Sequence, residues 1–478
     1  MAVKLLLNDL FLMDEPESYI ERIQRLASQN RELKEQLDEM VKRFNNLDEV
    51  NQHFQSSLVK YSSEDEANAK DKRRASRRIK TVSILFVSIN GFDQLYKMED
   101  QVYLVDQLDE LIMDLEDIAF EYNVVRLKSY GDNMIFAAGL QGENRTNPID
   151  MIRVAIEMQA AAAAKKTPDG RQFWNLKIGI HTGPVVATPG NNNSTDYNFS
   201  GDSINFACRV GEAAPLNSII VTGMTSELIK EFFKIRELGS LPVKYKGSLN
   251  IYGVDGLLPE LMDLSSSLLP NHNFRVKYLT LKFMDIQEEL LDYLEQKLPR
   301  NLYYHNIKHT IDVTTEVELI GWAEGVSDEE ILLLKLAALF HDAGHTISYK
   351  DHEYYSTVMA REKLAAYDFT QEQIDTVCRL IMATKMPPNP QDILEQIMCD
   401  SDLDYLGRTD FIPVSNSLYM ELQERNMIGT WQEWNELQLR FITNHQYYTN
   451  TAIQLREVNK QQQIERLEQL IKESVPQF

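Results

Sequence analysis

The sequence predicts a multidomain protein: an N-terminal coiled-coil helix, an α+β domain and an all-α helical bundle. Three observations carry this. Apolar residues keep a seven-residue repeat between positions 23 and 47. From 80 to 256 short β-branched runs alternate with segments of helical period. From 275 onward the pattern is helical almost throughout, and five of the nine histidines fall between 305 and 352.

In the first part, the seam runs Ile23, Leu26, Leu33, Leu37, Met40, Phe44, Leu47, with Asn30 in the remaining slot, so a is 23, 30, 37, 44 and d is 26, 33, 40, 47. A single asparagine at an a position specifies a parallel two-stranded register. The expectation is a coiled coil over 17–50 that makes a parallel homodimer, followed by a linker over 51–79 where the repeat is lost. The basic run KDKRRASRRIK, 70–80, reads as a solvated entry to the next domain.

A formal charge of −23 over 478 residues argues against general nucleic-acid binding, which needs a basic surface to neutralise phosphates. No apolar run approaches a membrane span, and the start, MAVKLLLNDLFLMDEPE, has no cationic leader or cleavage-type site. With only Cys208, Cys378 and Cys399 as thiols, a reduced, cytoplasmic setting is expected, with no membrane and no nucleic acid as partner.

Over 80–256, strand-like segments fall at 81–88, 123–129, 133–138, 175–182, 218–222 and 250–254. Helix-like segments fall near 98–118, 149–165, 203–212 and 224–232. The leading order βαββαβ predicts a ferredoxin-like sheet. Five pieces in order, SILFVSINGF, LKSYGDNMIFAA, IGIHTGPVVA, FSGDSINFACR and VKYKGSLNIYGV, give the region a specific resemblance to the class III nucleotidyl cyclase domain. The resemblance implies a phosphate loop at Gly91, a purine-selecting Lys128 that leans toward adenine, and a metal aspartate at Asp132. It further implies Asn205 and Arg209 for ribose and transferring phosphate, and Lys246 for the terminal phosphates. The partner position for the base falls at Asn198, with Asp196 as its rival in the PGNNNSTDYN loop. Family members build such sites between two subunits and take Mg or Mn with the nucleotide, so a purine nucleotide, ATP favoured, is the expected ligand. One piece departs from the family. Where it has its first metal aspartate this chain has Ser88, and a neutral hydroxyl does not replace a carboxylate against a hard divalent cation.

Residues 257–274 have the Pro and Ser content of a link, a helix follows over 276–298, and Pro299 stops it. The remaining segments, 305–324, 328–341, 352–366, 371–383, 390–398, 415–426 and 429–441, make an all-helical domain over 275–450. A polar helix closes the chain over 451–474, with a thin stripe of Ile464, Leu467, Leu470 and Ile471 suited to a partner subunit.

Within YYHNIKHTIDV and ALFHDAGH, His305 and His309, and His341 and His345, are spaced by four. On a helix that spacing puts each pair on one face. With Asp342, and with Asp400 and Asp402 in IMCDSDLDYLG, the set offers nitrogen and oxygen ligands for a divalent metal and no thiolate. These motifs resemble the HD phosphohydrolase superfamily, in particular its cyclic-nucleotide phosphodiesterase branch. The resemblance implies His309, His341, Asp342 and Asp402 as first-metal ligands and His345 as a second-metal or supporting histidine, with Zn, Mn, Mg or Fe as the ion. It implies His305 as the general acid and Asp342 as a bridging catalytic carboxylate. His352 has no counterpart in the animal-type pattern; several bacterial HD groups have a His-Glu pair here that joins the metal or phosphate site.

Such a bundle could hydrolyse a cyclic nucleotide, a nucleoside triphosphate, a 5′-nucleotide or an alarmone. The YHN context and the neighbouring cyclase-like region favour a cyclic mononucleotide, with the cyclase-like region as a regulatory nucleotide sensor. A weak or bifunctional cyclase and a non-catalytic nucleotide-binding scaffold are the other two readings.

Overall fold

A computed structural model describes residues 76–91, 101–140, 144–167, 170–189, 197–243 and 247–474. The predicted coiled coil over 17–50, most of the 51–79 linker, the 190–196 part of the loop and Lys246 lie outside the described residues. The described residues of 78–186 and 199–474 form one compact unit.

The α+β part opens with β1 (Arg77–Asn90), α1 (Gln101–Glu121), β2 (Val125–Tyr130), β3 (Asn133–Ala138), α2 (Asn147–Ala164) and β4 (Asn175–Pro189). It continues with β5 (Tyr197–Ser200), α3 (Asp202–Ala213), β6 (Ser218–Thr222), α4 (Gly223–Ile229), β7 (Phe233–Val243) and β8 (Gly247–Leu257). The strand order β2-β3-β1-β4-β6-β8-β7 contains the ferredoxin-like arrangement in its first four strands, and the remaining three extend it. β1 and β3 run antiparallel with Ser88 opposite Asn133, and β4 and β6 run parallel. The core of this part combines Leu85, Val87, Phe136, Ile152, Met158 and Trp174, all fully buried. β7 was not legible as a strand: its burial reads exposed along most of its length, because only Phe233 and Val243 at its ends turn fully inward.

The stretch 257–274, expected as a link, is structured. It holds a 3₁₀ turn (Pro259–Leu261) and the short antiparallel pair β9 (Met262–Asp263) and β10 (Ser266–Pro270), and then α5 (His272–Lys297) begins. Asn271 caps α5 by accepting the Phe274 amide at 3.0 Å. Phe274 belongs to the core of the α+β part, while Leu279, Phe283, Ile286 and Leu290 of the same helix belong to the core of the helical part. Polar contacts reinforce this sharing. The Tyr278 hydroxyl donates to Asp150 at 2.7 Å, and Arg145 pairs with the buried Asp285 and, at 3.0 Å, with Glu288. Pro and Ser content signals a break in local structure and says nothing about whether flanking side chains find a core.

The helical part comprises α6 (Ile307–Glu324), α7 (Asp328–Phe340), α8 (His352–Ala365), α9 (Gln371–Ala383), α10 (Ile393–Asp402), α11 (Phe411–Glu424), α12 (Trp431–Asn444) and α13 (Asn450–Ser474), with 3₁₀ turns at Ala343–Thr346 and Asp404–Gly407. Capping boxes start three of them, at Ser327 with Glu330, Thr370 with Gln373 and Thr430 with Glu433, each satisfying two otherwise orphan amides. Two residues of the stripe on α13, Ile464 and Leu467, are covered by their own chain. Leu467 is fully buried in a cluster with Tyr304, Tyr405, Phe411 and Ile442, and Ile464 packs against it. No described helix is long and apolar enough to cross a membrane.

Candidate functional site

The histidine pairs do not share helical faces as their spacing predicts. α6 begins only at Ile307, because Asn306 accepts the amides of Lys308 and His309 and so caps the helix between the two histidines. α7 ends at Phe340, which leaves His341, Asp342 and His345 on its C-cap and the following 3₁₀ turn. That turn is fixed by close approach to α8: a Cβ on Gly344 would lie 2.0 Å from the His352 carbonyl. Ser356 completes the contact, accepting the Gly344 amide at 2.8 Å and donating to the His341 carbonyl at 2.6 Å. The residues nonetheless converge.

His309 Nε2 lies 3.1 Å from Asp402 Oδ1, 3.3 Å from His341 Nε2 and 3.5 Å from Asp342 Oδ2. His341 Nε2 is 3.1 Å from Asp342 Oδ2 and 3.4 Å from Asp402 Oδ1. Ligand atoms bonded at about 2.1 Å to one ion, with angles of roughly 90–110°, lie about 3.0–3.4 Å apart, which is this spacing. His341 Nδ1 donates to the Ala338 carbonyl at 2.7 Å, which leaves Nε2 as the ring nitrogen that faces the centre. Asp342 Oδ2 is buried without a hydrogen-bond partner. An unpaired buried carboxylate oxygen among imidazole nitrogens is costly unless a cation joins it. These residues fit a divalent ion.

On the other side of Asp342, His305, Asp342 and His345 form a second three-ligand cluster. His352 belongs with it geometrically: its Nε2 lies 3.3 Å from Asp342 Oδ1, its ring stacks on His345 at 3.9 Å, and its Nδ1 donates to the Tyr349 carbonyl at 3.3 Å. Both ring nitrogens of His345 are buried without a partner. Asp342 thus presents one oxygen to each cluster. Among the described residues these are the two clusters of three such ligands, and Asp132 belongs to neither.

The choice between Asp400 and Asp402 is decided by their partners. Asp400 accepts the Tyr448 and Thr449 amides and, at 2.8 Å, the Thr449 hydroxyl, which anchors the chain entering α13. Asp402 faces the histidines.

Glu421 is the residue that sequence reading missed. It is fully buried on α11; its Oε1 accepts His305 Nδ1–H at 2.5 Å and its Oε2 accepts the amides of Tyr304 at 2.9 Å and His305 at 3.2 Å. A glutamate on an amphipathic helix over a hundred residues away carries no local signal for this.

Burial disfavours every charge here, and the neighbouring opposite charges outweigh it at several groups. Burial lowers the His305 imidazole, but Asp342 and the Glu421 hydrogen bond raise it further, for a net rise. Burial lowers His341 too, and Asp342 and Asp402 carry it well above its usual value. Burial raises the Asp342 and Asp402 carboxyls, and the imidazoles hold both below the ordinary range. Glu421 is held at about 2, burial notwithstanding, by the His305 contact and the two amides. His345 moves the other way, lowered by burial to about 3.

In the α+β part, Gly91 has φ +144° and a Cβ there would lie 2.8 Å from the Phe173 carbonyl, so close packing by itself requires glycine. The Asp132 carbonyl accepts the Ile89 amide at 2.9 Å, which sets the β2–β3 hairpin beside the end of β1. Ser88 is buried there, and the Asn90 side-chain amide donates to its carbonyl at 3.1 Å and to its Oγ at 3.3 Å. Lys128 lies on β2 with its ammonium destabilised by burial. Asn205 and Arg209 are partly buried on α3, four apart. Asn198 is exposed on β5.

Residues 75–256 match the Adenylate and Guanylate cyclase catalytic domain, and residues 306–404 match the HD domain. The chain joins a class III cyclase catalytic-like domain to an HD phosphohydrolase domain. Among curated proteins, Adenylate cyclase of Mycobacterium tuberculosis is 28% identical over 174 residues, covering 36% of this chain and 39% of the relative. Guanylyl cyclase C of Homo sapiens is 25% identical over 191 residues, covering 38% of this chain and 18% of its own. The chain therefore spans well under half the length of these relatives. Among solved structures, the adenylyl cyclase CyaB from P. aeruginosa is 22% identical, with a TM-score of 0.34, covering 39% of this chain and 99% of that one. The matched HD stretch holds every residue of the two ligand clusters except His305, which immediately precedes it, and Glu421 and the C-terminal helix α13 lie beyond it.

Proposed function

We propose that the HD domain is a metal-dependent 3′,5′-cyclic-nucleotide phosphodiesterase, controlled by a purine nucleotide bound to a degenerate cyclase-like domain. The observation that carries the reading is the convergence of His309, His341, Asp342 and Asp402 beside a histidine tied to a buried carboxylate. His309, His341, Asp342 and Asp402 would hold the ion, and His345 with Asp342 a second one. A divalent cation (Zn, Mn, Mg or Fe) supplies Lewis acidity at the phosphoryl group and activates water. His305, with Nδ1–H on Glu421, keeps Nε2 for the leaving 3′-oxygen, and its raised proton affinity favours the protonated form that a general acid needs.

In the cyclase-like domain, Gly91, Lys128, Asn198, Asn205, Arg209 and Lys246 would bind the nucleotide, ATP favoured, with Mg or Mn on Asp132. The Asn90 amide lies on the Ser88 side chain where a carboxylate would be needed, so binding without efficient cyclisation is the reading. A parallel homodimer through the N-terminal coiled coil would pair the two halves of such sites, in the cytoplasm.

Elemental analysis coupled to a product screen tests this, using the protein with cyclic AMP, cyclic GMP, ATP and GTP in Mn²⁺. Tightly held metal and a 5′-mononucleotide from a cyclic substrate are expected. H309A should lose both metal and turnover, and H305A should keep metal and lose rate. Absence of both metal and cyclic-nucleotide hydrolysis in the wild-type protein would refute the reading.

A further inference from the structure

Where α2 meets α5, the α+β part and the helical part enclose a groove of about 970 Å³ with Tyr122, Phe274, Tyr278 and Tyr367 in its walls. Nearly all of its carboxylates are taken. Asp285 pairs with Arg145, Asp368 with Lys282 at 2.6 Å, and Glu289 with Lys363 and, at 2.8 Å, with the Tyr367 hydroxyl. Asp150, 8% exposed, accepts the Tyr278 hydroxyl at 2.7 Å, and burial pushes its carboxyl up toward the neutral form. The remaining one, Glu121, is exposed to solvent. The cations are not all taken. Arg153 of α2 and Arg275 of α5 line the groove, and neither has an ion pair among the described residues. The Arg153 guanidinium sits 4.7 Å from the centre of the Tyr122 ring and 5.7 Å from that of Phe274, contacts that hold it in place and leave its N–H groups unused. Arg275 spends one N–H on the Asp368 carbonyl at 3.4 Å. Asn147, at the start of α2, lines the same groove; it is 6% exposed and its Nδ2 has no hydrogen-bond partner.

The unsatisfied groups of the groove are therefore donors, in a chain whose formal charge is −23. Donors withdrawn from water without a partner are costly, and arginine's planar fork matches the paired oxygens of a carboxylate or phosphate. Clefts of this size between domains, with aromatic walls and a few converging polar groups, are where small molecules bind. We propose that the groove is a binding site for a small organic anion whose phosphate or carboxylate is held by Arg153 and Arg275, with the Asn147 carboxamide beside them. A ligand there touches α2, which belongs to the α+β core, and α5, which enters both cores, and so reaches the HD domain away from its metal ligands. The site does not depend on the hydrolase reading above.

The test uses the full chain with sodium phosphate, 5′-AMP and citrate as probes, and reads amide hydrogen exchange by mass spectrometry. A ligand at ten times its Kd suppresses local opening about tenfold, so with 5′-AMP or citrate at about 10 mM exchange should slow by about that factor over 121–125, 147–153 and 270–282. Arg153→Gln should abolish the protection and Arg275→Gln should weaken it. Arg275 is exposed, so its variant carries the test if Arg153→Gln fails to fold. Protection by 5′-AMP alone assigns a phosphate ester, and protection by citrate alone assigns a carboxylate. Equal protection by inorganic phosphate would mean an adventitious ion only and would overturn the proposal. Protection that survives both substitutions would overturn it too, since the probe would then act from another site. So would exchange over the three segments that none of the probes alters.

Discussion

Replacing Glu421 with glutamine is the sharpest single perturbation of the HD site. Glutamine keeps the shape and one carbonyl oxygen for the Tyr304 and His305 amides, but its NH₂ then faces the His305 Nδ1–H that the carboxylate accepts at 2.5 Å. Two donors cannot bond, so His305 must change tautomer or turn. The carboxylate is held at about 2 against an ordinary 4.5, a preference for the charged form of about 3 kcal/mol. Because the folded value is depressed, that contribution is present above roughly pH 4.5 and is lost as pH falls toward 2. The glutamine variant should lose about 1.5–3 kcal/mol of stability, the usual worth of a charged hydrogen bond. General-acid catalysis contributes about 10²–10⁴-fold, so E421Q should lower kcat for cyclic-nucleotide hydrolysis at least about 100-fold. Metal content of the His309, His341 and Asp402 cluster should be retained, since Glu421 touches none of these. Full kcat in E421Q, measured with cyclic AMP and cyclic GMP in Mn²⁺, would show that the His305–Glu421 contact does no work in the reaction.

Other outcomes are expected elsewhere. Ser88→Asp should raise Mn²⁺-dependent formation of cyclic AMP from ATP above the wild-type level, read by product chromatography, and no gain would mean that Ser88 is not what limits the cyclase-like domain. Arg145→Ala leaves the carboxylate of Asp285, only 5% exposed, without its ion pair. Because Arg145 is itself half exposed, the cost should be about 1–3 kcal/mol, read from denaturant unfolding, and an unchanged midpoint would count against a structured junction. Burial lowers His181 to about 4, next to the Thr222 hydroxyl at 2.9 Å. Between pH 6.5 and 4 the unfolded chain therefore binds the extra proton, and stability should fall with acidification by up to about 3 kcal/mol. His181→Gln should flatten that slope, and an identical pH profile would place the His181 proton elsewhere.

The elements themselves were largely readable in advance. Helices starting at Asp328, His352 and Gln371 appear where their period puts them, and capping boxes fix the first and the last, because such signals act over a few residues. Strand β7 and the structured stretch 257–274 were not readable, since their order comes from pairing with β8 and from Phe274 entering a core built by distant segments. The ligand residue types around the metal site were visible in the HD motif. Their arrangement was not: helical spacing implies shared faces, and Asn306 and the end of α7 break the helices between the histidines.

Local chemistry thus determined which residues this chain can offer to an ion, and the resemblance singled out Ser88. The resemblance already favoured Asp402 over Asp400; tertiary structure alone decided that His352 reaches Asp342 and that Glu421 holds His305. The reason is physical. A carboxylate's role follows from which donors surround it once buried, and those donors lie far away in sequence, joined to it only by folding.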